Sequence, residues 1–202
     1  MKLFLKPGSC SLAPHIVLEE AGLSYETEGV DLKTKITESG KDYWQINPKG
    51  YVPALQLESG EVITEGPAIS QFIADQVPLK RLAPANGTIE RVRMQSWLTF
   101  VGTELHKSHG AFFNAAAKDD WKTVARGNLE RRYGYLDAYL SDKPYLLGEQ
   151  FTAADAYLFT VLRWIGVTGL TLATWPHLSA FQERVAARPA VAAAMRAEGL
   201  TA

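Results

Sequence analysis

With a single cysteine among 202 residues, no intrachain disulfide can form, so Cys10 is either free or paired with something outside the chain. An excess charge of one sign is missing too. Lys and Arg number 21 against 22 Asp and Glu, a net charge of -1, which gives no basic surface for nucleic acid. Long apolar runs are absent, and MKLFLK leads straight into a turn instead of a hydrophobic signal region. No membrane partner is expected, and the expected location is cytoplasmic. The four histidines, at 15, 106, 109 and 177, are scattered, and there is no His-Glu-x-x-His, no glycine-rich phosphate loop and no cysteine–histidine cluster. A metal site is therefore not expected. No motif of 20 to 50 residues recurs strongly enough to suggest a solenoid.

What the chain does have is an ordinary globular composition, 47% apolar and 21% charged, at a length that allows one domain or two small ones. KLFLK and YETEGVDL alternate apolar and polar residues as strands do. Between them LAPHIVLEEAG has helical spacing. Pro14 is tolerated only in a first turn, Ser9 or Ser11 can cap the start, and Gly22 is the stop. Consecutive strands of such a unit should run parallel through a right-handed crossover. TESGKDYWQINPKG predicts a weaker, broken helix. VPALQLESGEVIT predicts a hairpin around Ser-Gly, and EGPAISQFIADQ a helix. The order βαβ, poor helix, ββα makes a small α/β layer domain over residues 1–78. Two prolines and a glycine in VPLKRLAPANG mark a linker, 79–87. From 88 to 202 the pattern is all helical, beginning with one long helix through TIERVRMQSWLTFVGTELHKSHGAFFNAA.

Four stretches carry candidate chemistry. Cys10 stands in PGSCSLAPH at a helix entrance, where free amides and the helix dipole lower a thiol pKa, though free cysteines are also often plain buried residues. In NPKGYVPAL, Val52 precedes Pro53 and is pushed toward extended geometry. With a cis bond there, the turn would offer the N–H and C=O of Val52 to an extended peptide; otherwise it is a plain loop. Glu65 and Gly66 in TEGPAI stand at the mouth of a helix with Pro67 in its first turn. Glu65 is either a capping carboxylate or an acceptor for an ammonium, with the Gly66 amide beside it for a carboxylate. ELHK places Glu104, His106 and Lys107 in the long helix, where a lone histidine is more often structural or solvated than functional. Thr152 and Asp155 in FTAADAY form a near capping box, so Asp155 should hold the fold. Trp97, Trp121, Tyr135, Tyr139 and Trp164 read mainly as packing.

Taken in order, PGSCSLAPH, NPKGYVPAL, TEGPAI, ELHK and FTAADAY, with the order of elements, resemble the cytosolic glutathione S-transferases, most closely the bacterial beta class, over nearly the whole chain. The resemblance implies an N-terminal thioredoxin-like domain that binds glutathione and a C-terminal helical domain that lines a pocket for a small hydrophobic electrophile. It implies reduced glutathione as co-substrate, no prosthetic group, and a homodimer. Residue by residue it implies Cys10 near the glutathione sulfur with Ser11 beside it, and Val52, before a cis Pro53, paired with the cysteinyl backbone. It further implies Glu65 and Gly66 on the γ-glutamyl end and Lys35 on the glycyl carboxylate. His106 and Lys107 then face the sulfur, and Glu104 reaches a partner subunit's site. Thr99 stands where related bacterial enzymes often have an asparagine contacting the ligand. The implied chemistry is conjugation through a glutathione thiolate assisted by Ser11 and His106. The alternatives are thiol transfer, peroxidase or reductive dehalogenase chemistry through a Cys10 mixed disulfide, or a non-catalytic binding protein.

Overall fold

The computed structural model describes residues 1–201. Strand β1 (Lys2–Leu5) is followed by helix α1 (Leu12–Ala21), β2 (Glu26–Asp31), β3 (Ile36–Thr37), the β4–β5 hairpin (Ala54–Gln56 and Val62–Thr64) and α2 (Gly66–Asp75). They form one five-stranded sheet in the order β3-β2-β1-β4-β5. β1 and β2 run parallel, as a crossover through α1 requires, and the other three pairings are antiparallel. The expected thioredoxin-like α/β layer followed by helices is therefore present, with one addition. β3 is only two residues long, too short for alternation to announce it, and the broken helix reduces to a 3₁₀ turn at Tyr43–Gln45.

The neighbouring strands β1 and β4 are buried on both faces. Leu3, Leu5 and Leu55 point into the main core, while Phe4, Val30 and Ala54 point the other way and are covered by Tyr43 and Val52. This second small core brings Val52 to the sheet. Helix α1 is apolar nearly all round because it is covered all round: it packs on α2 and on helices from the second half of the chain. Gly22 ends it in the left-handed conformation, φ 68°.

After a 3₁₀ turn at Pro78–Lys80 come α3 (Ile89–Phe100), α4 (Lys107–Phe113), α5 (Asp119–Tyr139), α6 (Ala153–Leu162), α7 (Pro176–Ala186) and α8 (Pro189–Ala197). The long helix expected from residue 88 onward is interrupted by a π-helical turn at Val101–His106, an arrangement frequent at functional sites. α6 is the buried centre of this half. Asp155 closes its start, accepting the Thr152 N–H at 2.8 Å, the Thr152 hydroxyl at 2.9 Å and the Leu146 N–H at 2.8 Å. Burial pushes its carboxyl up to about 6, against the pull of those donors. Arg188 clamps Glu20 of α1 from the second half, and Arg91 of α3 clamps Asp75 of α2. The two halves therefore face each other in fixed register, with a cleft between them.

Candidate active site

The cleft has a volume of about 530 Å³. Its first wall comes from three loops of the α/β half: the β1–α1 turn with Cys10, the Asn47–Pro53 loop and the Thr64–Pro67 stretch. Gly102, Thr103, His106 and Lys107 of the π-turn and α4, with Tyr157 of α6, form the second. The π-turn matters locally, because it changes which residues of this continuous helix face the first wall.

The Asn47–Pro53 loop is held from behind. The Tyr51 carbonyl accepts from the Tyr43 hydroxyl at 2.8 Å and from Asn47 Nδ2 at 2.7 Å. Gly50 takes φ 67°, and a Cβ there would meet the Trp44 ring at 2.5 Å, so a side chain at that position would be strained and would displace the ring. The Val52–Pro53 peptide bond is cis. The Val52 carbonyl accepts the Cys10 thiol at 3.3 Å, and the Val52 N–H has no protein acceptor among the described residues. Glu65 sits at φ 72° just before α2, an uncommon conformation for a residue with a side chain, found where surrounding structure enforces it. Its carboxylate pairs with Lys49 Nζ at 2.7 Å.

Cys10 lines the cleft, but its thiol is not activated. Burial is the largest cause and Glu65 adds to it, pushing the pKa up to about 11. The expected lowering fails because the helix entrance has little to offer: Leu12 N–H is already spent on the Ser9 carbonyl and Ala13 N–H on the Cys10 carbonyl. His106 Nδ1 lies 2.7 Å from the Tyr157 hydroxyl. Burial, with His109 and Lys107 nearby, holds its pKa down to about 4, which favours the neutral imidazole at neutral pH.

Two family models match this chain: glutathione S-transferase, N-terminal domain, over residues 1–75, and glutathione S-transferase, C-terminal domain, over 97–189. It is 46% identical to a glutathione S-transferase, GstA, of Escherichia coli O157:H7, with 99% of this chain and 100% of the relative aligned. The chain belongs to the glutathione S-transferases. Among solved structures, a bacterial beta class glutathione S-transferase of Sphingomonas chungbukensis matches with a TM-score of 0.96 at 46% identity, covering all of both chains. A sphingomonad glutathione S-transferase complexed with glutathione matches with a TM-score of 0.96 at 45% identity, again over all of both chains.

In this transferase, Cys10, Val52, Pro53, Glu65, Gly66, His106 and Lys107 all line one cleft. Four other sequence candidates do not. Ser11 is fully buried, its hydroxyl 2.8 Å from that of Ser9 and bonded to the N–H and C=O of Lys6, so it braces the turn behind the cleft lining. Lys35 donates to the Gly50 carbonyl at 2.9 Å and lies against the Trp44 ring, outside the cleft lining. Thr99 turns back to the Gln95 carbonyl on the exposed side of α3, and Glu104 pairs with Arg132 at 2.7 Å. Sequence reasoning missed Lys49, Tyr51, Thr103 and Tyr157. Lys49 and Tyr51 were within reach, since NPKGYVPAL contains both, but only their exposure at the cleft mouth singles them out.

Proposed function

We propose that the transferase binds reduced glutathione along the first wall of this cleft, with the cysteinyl backbone paired to the N–H and C=O of Val52. The observation that carries this is the state of Val52: among the described residues its N–H has no protein partner and its carbonyl accepts only the Cys10 thiol, in a loop clamped from behind. Glu65 and the Gly66 amide take the γ-glutamyl end, and the sulfur then faces Lys107 and the neutral His106 of the second wall. The Lys107 ammonium favours a thiolate over a thiol there. The neutral imidazole, oriented by Tyr157, can accept or donate a hydrogen bond at the sulfur without carrying charge. The thiolate attacks an electrophilic carbon, a C–S bond forms, and the leaving group departs with its electron pair. The residues 1–78 supply glutathione binding, and 88–202 supply most of the space for a small hydrophobic electrophile.

A second reading rests on Cys10 itself, a thiol inside the ligand cleft. With glutathione disulfide it would exchange, Cys10 forming the mixed disulfide as one glutathione leaves reduced. Cytoplasmic location fits a chain with one unpaired cysteine. A homodimer is part of the proposal: Glu104, which does not line its own cleft, would serve a partner subunit's site. The deciding experiment incubates the wild type and Cys10→Ala with glutathione and a panel of electrophiles, followed by product analysis and intact mass. Thioether formation by both proteins supports conjugation without Cys10. In a second incubation with glutathione disulfide, a glutathione mixed disulfide on Cys10, with no thioether in the first, favours the exchange reading.

A further inference from the structure

We infer that Lys49 is a ligand-binding residue of this transferase, exchanging its partner Glu65 for the α-carboxylate of the γ-glutamyl end when the ligand's ammonium arrives. The inference rests on the reading above, in which Glu65 and Gly66 receive that end.

Three observations lead to it. The Lys49 ammonium is 2.7 Å from Glu65 Oε1 and 3.1 Å from Thr64 Oγ1, so it stands where a ligand ammonium would have to bind. Both partners line the cleft and both side chains are at least half exposed, which makes the pair weak and its exchange cheap. The start of α2, meanwhile, is poor in donors for an anion. Gly66 has no hydroxyl, Pro67 has no N–H, and the Ile69 N–H is spent on the Glu65 carbonyl at 2.9 Å. Among the described residues the amides of Gly66 and Ala68 remain free at this end, and a cation beside them would strengthen their hold on a carboxylate.

Lys49 is positioned to be that cation. Its backbone N–H is held by Asn47 Oδ1 at 3.1 Å, and Asn47 is itself buried and tied to the Tyr51 carbonyl. The base of the side chain is thus fixed, while its four-carbon stem is free to swing. In an α-amino acid head the carboxylate is one carbon from the ammonium. An ammonium displaced from Glu65 by the ligand therefore finds the ligand's own carboxylate beside it. The pair then reads both charges of the head together, and a ligand with only one of them gains less.

The test is titration calorimetry on the full chain, under reducing conditions, with three ligands: glutathione, 4-aminobutanoyl-cysteinylglycine, which lacks the α-carboxylate, and glutaryl-cysteinylglycine, which lacks the amine. Wild type should prefer glutathione over the aminobutanoyl ligand by about tenfold, the scale of a charge-assisted contact near the surface, and Lys49→Met by less than about twofold. Lys49→Arg should restore the preference. A tenfold preference retained in Lys49→Met overturns the inference while leaving the binding reading intact. If wild type and Glu65→Gln bind glutathione and the glutaryl ligand equally well, the head does not sit at Glu65, and both fall.

Discussion

The state of Cys10 gives the sharpest prediction, because position in the chain and structure point opposite ways. A pKa of about 11 against the ordinary thiol value of 9.0 is a difference of 2, so near neutral pH Cys10 should hold about a hundredfold less thiolate than an unperturbed cysteine. Only the thiolate reacts with iodoacetamide, and the pH dependence of alkylation therefore reports the ionisation. Burial slows the absolute rate at every pH, so the diagnostic quantity is the shape of the profile and not the rate at one point. Followed by intact mass, alkylation of the native protein should still be rising tenfold per pH unit through about pH 9 to 10, with its midpoint near 11. The unfolded chain should show a midpoint near the ordinary value. A native midpoint at or below about 8.5 would mean that the amides of the β1–α1 turn outweigh desolvation and the Val52 carbonyl, the opposite of the balance described above.

Three other outcomes follow from the same geometry. Tyr157→Phe removes the hydroxyl that orients His106 and should lower kcat by about fivefold with the KM for glutathione unchanged; a change in KM alone would contradict the orienting role. His109 is fully buried, with Nδ1 on the Leu105 carbonyl and Nε2 near the Tyr133 hydroxyl, and burial holds its pKa down to about 4 from 6.5. Its neutral form therefore contributes stability that is present above pH 6.5 and is lost as pH falls through 4, by about 3 kcal/mol in all. Denaturant titrations of His109→Asn, which keeps a donor for Leu105, should show a correspondingly shallower acid loss. Asp155→Ala leaves three buried donors without an acceptor and should cost about 3 kcal/mol, or about 10 °C in Tm by calorimetry. A drop under about 2 °C would show that water or backbone shifts satisfy those donors.

The parts of this fold legible in the sequence are those whose cause is local. Pro14 and Gly22 delimit α1, Ser-Gly turns the hairpin, and Thr152 with Asp155 opens α6, each through chemistry within a few residues. Two features with distant causes were not legible. The strand β3 is set by pairing with β2, and the π-turn at Val101–His106 has too few residues to disturb a helical spacing. The alternation in KLFLK also misleads about exposure, since a second small core covers the outer face of β1. At the site the division is the same. Residues in quoted loops reach the cleft where the loop itself faces it, as Val52 and Glu65 do. The direction of a side chain depends on partners far along the chain: Ser11 turns to Lys6, Lys35 to Gly50, and the Cys10 thiol to Val52.

The central claim is that the cleft ionises the thiol of bound glutathione without help from a Cys10 thiolate. It is tested most directly by the ultraviolet absorbance of the thiolate on glutathione bound to Cys10→Ala, where no protein thiol contributes, recorded as a function of pH. The account predicts a bound thiol with a pKa below that of free glutathione, and thioether formation that follows the same titration curve. Glutathione that binds Cys10→Ala but keeps its solution pKa, with conjugation lost, would contradict it and return the chemistry to Cys10.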